Sequence, residues 1–224
     1  METVLITGIN GNLGRVVSSI FLSAGYQLVG IDRDNSNDMP DHPNASFYTC
    51  DLVDVDSTKS TMDKIFSRHT ITHTLLLAGG FAIGSLEKSD LASVQKMIDI
   101  NFSTAYNLTH GIFQYWKNKR QGGKLVFVTS KPALEYGGSF ATPYSLSKSM
   151  LVKLTEIVNE EGNQYGIFAY AIAPEIINTA INRESMPNED HSKWVTPEGI
   201  GNTLLNICAK DSALTQPILR MYNR

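Results

Sequence analysis

The sequence holds only two cysteines in 224 residues, Cys50 and Cys208, far apart and each in an apolar setting. That excludes a disulfide framework and fits reduced core thiols in a cytoplasmic protein. It also lacks a basic patch: 19 Lys and Arg stand against 22 Asp and Glu, for a formal net charge of -3. No segment gathers the one-sided positive surface that phosphate backbones require, so nucleic acid is excluded as a partner. No apolar run approaches membrane-spanning length, and residues 3–6 enter a β-branched run without the basic and apolar regions of a signal peptide. A membrane partner is not expected. Internal repeats and low-complexity tracts are absent too.

What the sequence does contain is an ordinary globular mixture, 42% hydrophobic and 18% charged, in a length suited to a single domain over residues 1–224. Short apolar runs alternate with segments of helical period. Strands are expected at 4–7, 27–31, 46–50, 72–77, 124–129, 167–172 and 217–222, most of them apolar throughout, as strands covered on both faces are. Between them, Leu13, Val16, Val17, Ile20, Phe21 and Ala24 line one helix face. Val94, Met97, Ile98, Phe102, Ala105, Leu108 and Ile112 line a longer one, and Leu146, Met150, Leu154, Ile157 and Val158 a third. Residues 33–44 turn polar around Pro40 and Pro43 and read as a loop. Thr196-Pro197-Glu198 reads as the capped start of a last helix through about Ala209, after an excursion over 178–195. The expected fold is α/β: a Rossmann-like three-layer αβα sandwich around a doubly wound parallel sheet of about seven strands.

Directly after the first strand stands Thr7-Gly8-Ile9-Asn10-Gly11-Asn12-Leu13-Gly14, a glycine turn opening onto an amphipathic helix. Glycines there let the backbone approach a pyrophosphate, and the helix N-terminus supplies amide donors. Tight strand-to-helix turns also need glycine for steric reasons alone. Asp32 adds weight: it ends the second strand 18 residues beyond Gly14, where a carboxylate accepts hydrogen bonds from the adenosine ribose and repels a 2'-phosphate. NAD(H) is therefore favoured over NADP(H), although Arg33 beside it offers a phosphate partner. Asp51 and Leu52, after the third strand, are placed to bracket an adenine. Ala78-Gly79-Gly80, after the fourth, is a second point of close backbone approach.

The most informative spacing is Tyr144-x-x-x-Lys148, since residues four apart share a helix face. Phenol and ammonium then address one substrate. A lysine cation and a nicotinamide cation both favour phenolate, and Lys148 reaches far enough to hold ribose hydroxyls. Ser130 closes the fifth strand on the same sheet edge, where its hydroxyl can orient a substrate oxygen. Asn101 falls on the apolar face of a helix, so its amide needs an anchor of water or backbone behind Lys148. His69 and His73 share the i, i+4 spacing of metal ligands, but the residues between them are β-branched and lead into a strand, so no metal site is expected.

Together these residues resemble the short-chain dehydrogenase/reductase family along essentially the whole chain. The resemblance makes Asn101, Ser130, Tyr144 and Lys148 the family's catalytic set. It makes Pro174, Ile177 and Thr179 part of the loop beside the nicotinamide, and implies a homodimer or homotetramer. Two departures stand out: Asn12 replaces a glycine of the turn, and Glu175 a glycine of the loop. Within the family, Ala78-Gly79-Gly80-Phe81 and Asn182-Arg183-Glu184-Ser185-Met186-Pro187, followed by Trp194, resemble dihydropteridine reductase-like members. Those members lack the serine and asparagine kept here. The implied activity is hydride transfer from NAD(P)H to a small carbonyl or quinonoid dihydropterin, with tyrosine as proton donor. The rival is an NAD(P)-binding redox sensor without turnover, which has no chemical need of the four residues. Tyr136, Phe140, Met186 and Trp194 are candidates for a flat apolar wall.

Overall fold

A computed structural model describes residues 1–34, 42–212 and 214–223. Its described residues form one sheet of seven parallel strands: β1 (Thr3–Thr7), β2 (Gln27–Asp32), β3 (Ala45–Thr49), β4 (His73–Leu76), β5 (Gly123–Val128), β6 (Ile167–Pro174) and β7 (Ile218–Met221). They lie in the order β3-β2-β1-β4-β5-β6-β7. All seven expected strands are present, each boundary within two residues of the expectation. The chain winds outward one way from β1 to β3, then crosses back to β4. That reversal opens a crevice beyond the carboxyl ends of β1 and β4, the place where doubly wound sheets bind ligands.

Because side chains alternate across a strand, β1 feeds both faces of the sheet. Leu5 enters a core with α2 (Val55–Arg68), α4 (Thr104–Lys119) and α5 (Thr142–Gly162), through Ile65, Leu108, Trp116 and Leu154. Val4 and Ile6 enter the opposite core with α1 (Asn12–Ser23) and α7 (Pro197–Cys208), through Val17, Phe21 and Leu204. Cys50 and Cys208 are both free and buried.

The last helix begins as expected, with Thr196 accepting the Gly199 amide and Pro197 in the first turn. The 178–195 excursion carries α6 (Ala180–Ser185). Three expectations need correction or limit. The long helix from 94 is α3 (Leu91–Ile98) running into α4 through a five-residue π-helical stretch, Asp99–Ser103. On α5, Leu146 and Ile157 are 49% and 42% exposed. The buried line of that helix keeps the expected Leu154 and Val158 but otherwise runs through Ser147, Lys148, Leu151 and Thr155, a face about one residue round from the apolar one, because the buried face includes the polar Lys148. The loop expected at 33–44 falls largely on residues 35–41, outside those described.

Candidate active site

The glycine turn is shaped by what cannot fit in it. Gly8 adopts φ +67°, and a Cβ there would lie 2.9 Å from the Ala78 backbone. At Gly14 a Cβ would come within 2.2 Å of the Gly8 carbonyl oxygen. Both glycines are steric necessities of β1, β4 and α1 meeting this closely. Among the described helices, α2, α3 and α7 are capped by the side chains of Asp54, Asp90 and Thr196. Helix α1 starts at Gly11 with neither a side-chain cap nor an acid in its first turn. Its first amides stay available to an anion, and its dipole favours one.

A cleft of about 450 Å³ lies in front of that helix end, lined by Gly8, Asn10, Gly11, Asp32, Arg33, Asp51, Leu52, Ala78 and Gly79. Asp32 is fixed there by two amides: Asn10 N donates to one carboxylate oxygen (2.9 Å) and Arg33 N to the other (2.8 Å). The Arg33 guanidinium lies 3.7 Å from Asp34, and both side chains are mostly exposed. Asp51 accepts the Val53 amide at 3.1 Å, a turn contact, while Leu52 is buried. Of the remaining expected cofactor residues, Asn12 is exposed at the start of α1 and Leu13 packs into the core beside it. An uncapped helix end, a glycine floor and a fixed carboxylate fit a dinucleotide.

The reacting set gathers at the carboxyl end of β5. Lys148 is buried, and its Nζ donates to the Val128 carbonyl at 2.8 Å. Desolvation pushes this ammonium down to about 8, which leaves it mostly charged at neutral pH. Tyr144 is half-buried on the same helix face, its ring centre 5.9 Å from Lys148 Nζ. Burial raises its hydroxyl above the ordinary tyrosine value, opposed by Ser130. The Lys148 ammonium is directed at the β5 carbonyl rather than at the phenol oxygen. Ser130 Oγ is buried beside it, short of a well-formed hydrogen bond, with no partner among the described residues. A buried hydroxyl without a partner is costly unless a ligand atom completes it.

Asn101 sits in the π-helical stretch and is fully buried. It accepts the Gly80 amide (2.8 Å) and donates to the Gly80 carbonyl (3.1 Å) and to Ser147 Oγ (3.0 Å). The expected backbone anchor is therefore Gly80, with Ser147 an addition the spacing did not reveal. Gly79 is what lets this happen, since a Cβ on it would lie 2.7 Å from Asn101 Oδ1 and 3.1 Å from Lys148 Nζ. π-Bulges of this kind recur at functional sites.

The loop expected beside the nicotinamide is held by its own contacts. The Thr179 hydroxyl accepts the Asn182 amide as the cap of α6. Pro174 is buried at the end of β6, and Ile177 bridges to Val195. Trp194 is 5% exposed and tilted against His191 at 4.5 Å; it lines a surface hollow with Val195, Thr196 and Met221, away from the residues around Tyr144. His69 caps α2 and contacts the Tyr48 hydroxyl, while His73 is buried in β4. A residue of this region whose contact the sequence reading missed is Phe81, whose ring stands edge-on to Tyr144 at 4.9 Å and is 57% exposed.

The sequence profile described as short chain dehydrogenase matches residues 2–190. The chain belongs to this family. Among its relatives is the uncharacterized oxidoreductase YmfI of Bacillus subtilis, 26% identical over 199 residues, which span 84% of this chain and 80% of that protein. Another is the 3-oxoacyl-[acyl-carrier-protein] reductase FabG of Buchnera aphidicola, 24% identical over 201 residues, or 87% and 81% of the two chains. The fold matches the solved structure of ElxO with NADP bound, with a TM-score of 0.91 at 20% identity over 99% of this chain and 97% of that one. It also matches 4-hydroxyisoleucine dehydrogenase complexed with NADH, with a TM-score of 0.89 at 18% identity over 100% and 97%. The family is one of pyridine-nucleotide oxidoreductases acting on small molecules. Among the described residues, no helix is long and apolar enough to cross a membrane.

Proposed function

We propose that this chain, as a single cytoplasmic domain over residues 1–224, uses NADH to reduce a small carbonyl compound with an apolar body, Tyr144 serving as proton donor. The observation that carries the reading is the buried Ser130 hydroxyl, without a partner among the described residues, beside Tyr144, with Lys148 one turn further along the same helix. When bound, the nicotinamide supplies the hydride. Ser130 donates to the substrate oxygen and steadies the charge that develops there. Tyr144 gives that oxygen its proton. Lys148 keeps a charge behind the phenol and offers it to the nicotinamide ribose, while Asn101 holds the backbone at Gly80 on which both depend. Pro174, Ile177 and Thr179 form the loop on the nicotinamide side.

NADH is favoured over NADPH because the Asp32 carboxylate is fixed by two amides at the end of the cleft, where it would repel a 2'-phosphate. Arg33 also lines this cleft, mostly exposed and only loosely paired with Asp34, so the reading rests on the Asp32 repulsion. The apolar substrate body is supported by Phe81, edge-on to Tyr144, and by Tyr136 and Phe140, exposed on the loop before α5. A quinonoid dihydropterin is the second substrate to assay: the 182–187 segment suggests it, the retained Ser130 argues against it, and the relatives above lend it no support. A homodimer or homotetramer fits the apolar side chains of Tyr106, Leu146 and Ile157, exposed on α4 and α5.

The test is NADH oxidation with a panel of ketones, aldehydes and quinonoid dihydropterin. Tyr144→Phe should cut turnover by about 10²–10⁴-fold while leaving NADH affinity, read by intrinsic fluorescence, within about threefold. Undiminished turnover in that variant refutes the proton-donor role. A wild type that binds NADH but turns over nothing favours the redox sensor. Tighter binding of NADPH than of NADH would overturn the Asp32 assignment.

A further inference from the structure

Glu175, which stands where the family's loop carries glycine, fills its position with contacts. Its Oε1 accepts a 2.5 Å charge-assisted bond from Lys131 Nζ. Its Oε2 accepts the Asn223 amide at 3.0 Å, and its own amide donates to the Met221 carbonyl at 3.0 Å. The next amide, Ile176 N, donates to Asn223 Oδ1 at 3.4 Å. Lys131 directly follows Ser130, and its ammonium also stands 5.0 Å over the Tyr222 ring. The Tyr222 hydroxyl in turn donates to Glu135 at 2.7 Å, on the same turn as Lys131. The residues at the end of β7 and just after it therefore join the turn that carries Ser130 to the loop after β6.

We infer that Glu175 and Lys131 are a positioning pair that, braced by Met221, Tyr222 and Asn223, sets the Ser130 hydroxyl relative to the loop beside the nicotinamide. The inference rests on the oxidoreductase reading above. Neither side chain touches the substrate oxygen; the pair acts through Ser130. The Lys131 and Glu175 side chains are 32% and 26% exposed, so the pair is neither a free surface contact nor fully buried. Its effect falls on the chemical step, because displacing a catalytic donor by about 1 Å costs up to about 100-fold in rate.

The experiment is a double-mutant cycle on the full chain with NADH and the best carbonyl of the panel. Glu175→Gln and Lys131→Met should each lower kcat about 5–30-fold, with both KM values and the NADH Kd within about twofold. The double variant should be no worse than either single one, since both remove the same interaction. Lys131→Arg should recover most of the rate. Without nucleotide, Glu175→Gln should also speed hydrogen exchange at the amides of Glu175, Ile176 and Asn223. Unchanged kcat, additive losses, losses confined to KM, or unaltered exchange each overturn the pair. Should Glu175→Gln fail to fold, Lys131→Met and Lys131→Arg carry the same test. A wild type inactive across the whole panel would instead sink the parent reading. Activity abolished by Tyr144→Phe but untouched by Glu175→Gln sinks the pair alone.

Discussion

The two ends of the sheet both bury titratable groups, and they use them differently. At the carboxyl ends of the strands, Lys148 lies against Gly79, which lines the cleft, one helical turn from Tyr144 and near a Ser130 hydroxyl with no partner among the described residues. At the amino ends, His73 at the start of β4 lies 3.8 Å from Glu2, and its ring centre is 6.1 Å from that of Tyr26. There Lys124, at the start of β5, donates to the carbonyls of Ile207 (2.8 Å) and Ala209 (2.7 Å), closing the C-terminus of α7. Shifts are as large at this end: burial drives His73 down to about 4 and the Cys208 thiol up to about 12. A perturbed pKa therefore does not mark a site by itself. What separates the ends is space and direction. Gly8 and Gly79 clear room above the sheet, whereas below it the lysine is spent on two carbonyls and bulky side chains close around the histidine.

Replacing each lysine by methionine sharpens the contrast. Lys148→Met should give the larger effect on rate, a fall in kcat/KM of about 10²–10⁴-fold, and a smaller loss of melting temperature than Lys124→Met, because the one Val128 carbonyl it strands is offset by removal of a buried charge. Burial lowers the folded pKa of Lys148 to about 8 from 10.5. The folded state then binds fewer protons than the unfolded state between those values, so the residue costs stability at neutral pH and less as pH rises. An apolar side chain of similar length relieves that cost. A sharp drop in Tm with turnover intact would reverse the two ends.

Lys124→Met should do the opposite. It strands two carbonyls at a helix end and removes the cation that complements them, for a loss of about 2–3 kcal/mol. Turnover below the melting range should stay within twofold. Urea unfolding with parallel activity measurements checks both halves. A kinetic defect without a stability defect would place Lys124 in the site.

The two ends also differ in how much of them could be read from residues alone. Gly8 and Gly14, Asp32 on the second strand, and the four-residue step from Tyr144 to Lys148 are local patterns, and local patterns survive translation into sequence. Ser130 could be placed because a strand ends there. Its burial against Tyr144 depends on how α5 packs on β5, which no spacing contains. The π-helical stretch at Asn101 left no mark beyond an asparagine on an apolar face. Leu146 and Ile157 read as inward because apolar side chains on a helix default to the core, yet both are exposed and Lys148 lies on the buried face. Helix α2 drew no assignment, although Asp54 caps it and Asp56 follows in its first turn; its apolar side chains are too sparse to set a period. Glu175 reads as a missing glycine, and only the fold supplies its partner from 44 residues away.

His73 offers the smallest and most specific way to probe the lower end. Its folded pKa of about 4 lies below the 6.5 of a free histidine. Above pH 6.5 the ring is neutral in both states and its contribution is fully present. As pH falls from 6.5 toward 4, the unfolded chain takes up a proton that the folded protein refuses, so stability declines. At about 1.4 kcal/mol per pKa unit, the drop from pH 6.5 to 5.5 should be about 1 kcal/mol. Desolvation is the main cause, with Lys124 adding to it and Glu2 opposing it by attracting the imidazolium. His73→Leu should therefore flatten the acid limb of the stability curve, while Glu2→Gln should steepen it by removing the one charge that favours protonation. Neither should move the pH profile of kcat, which the proposed roles assign to Tyr144 and Lys148 at the other end. If His73→Leu leaves the acid limb unchanged, the histidine is not the group whose burial separates the lower end from the site.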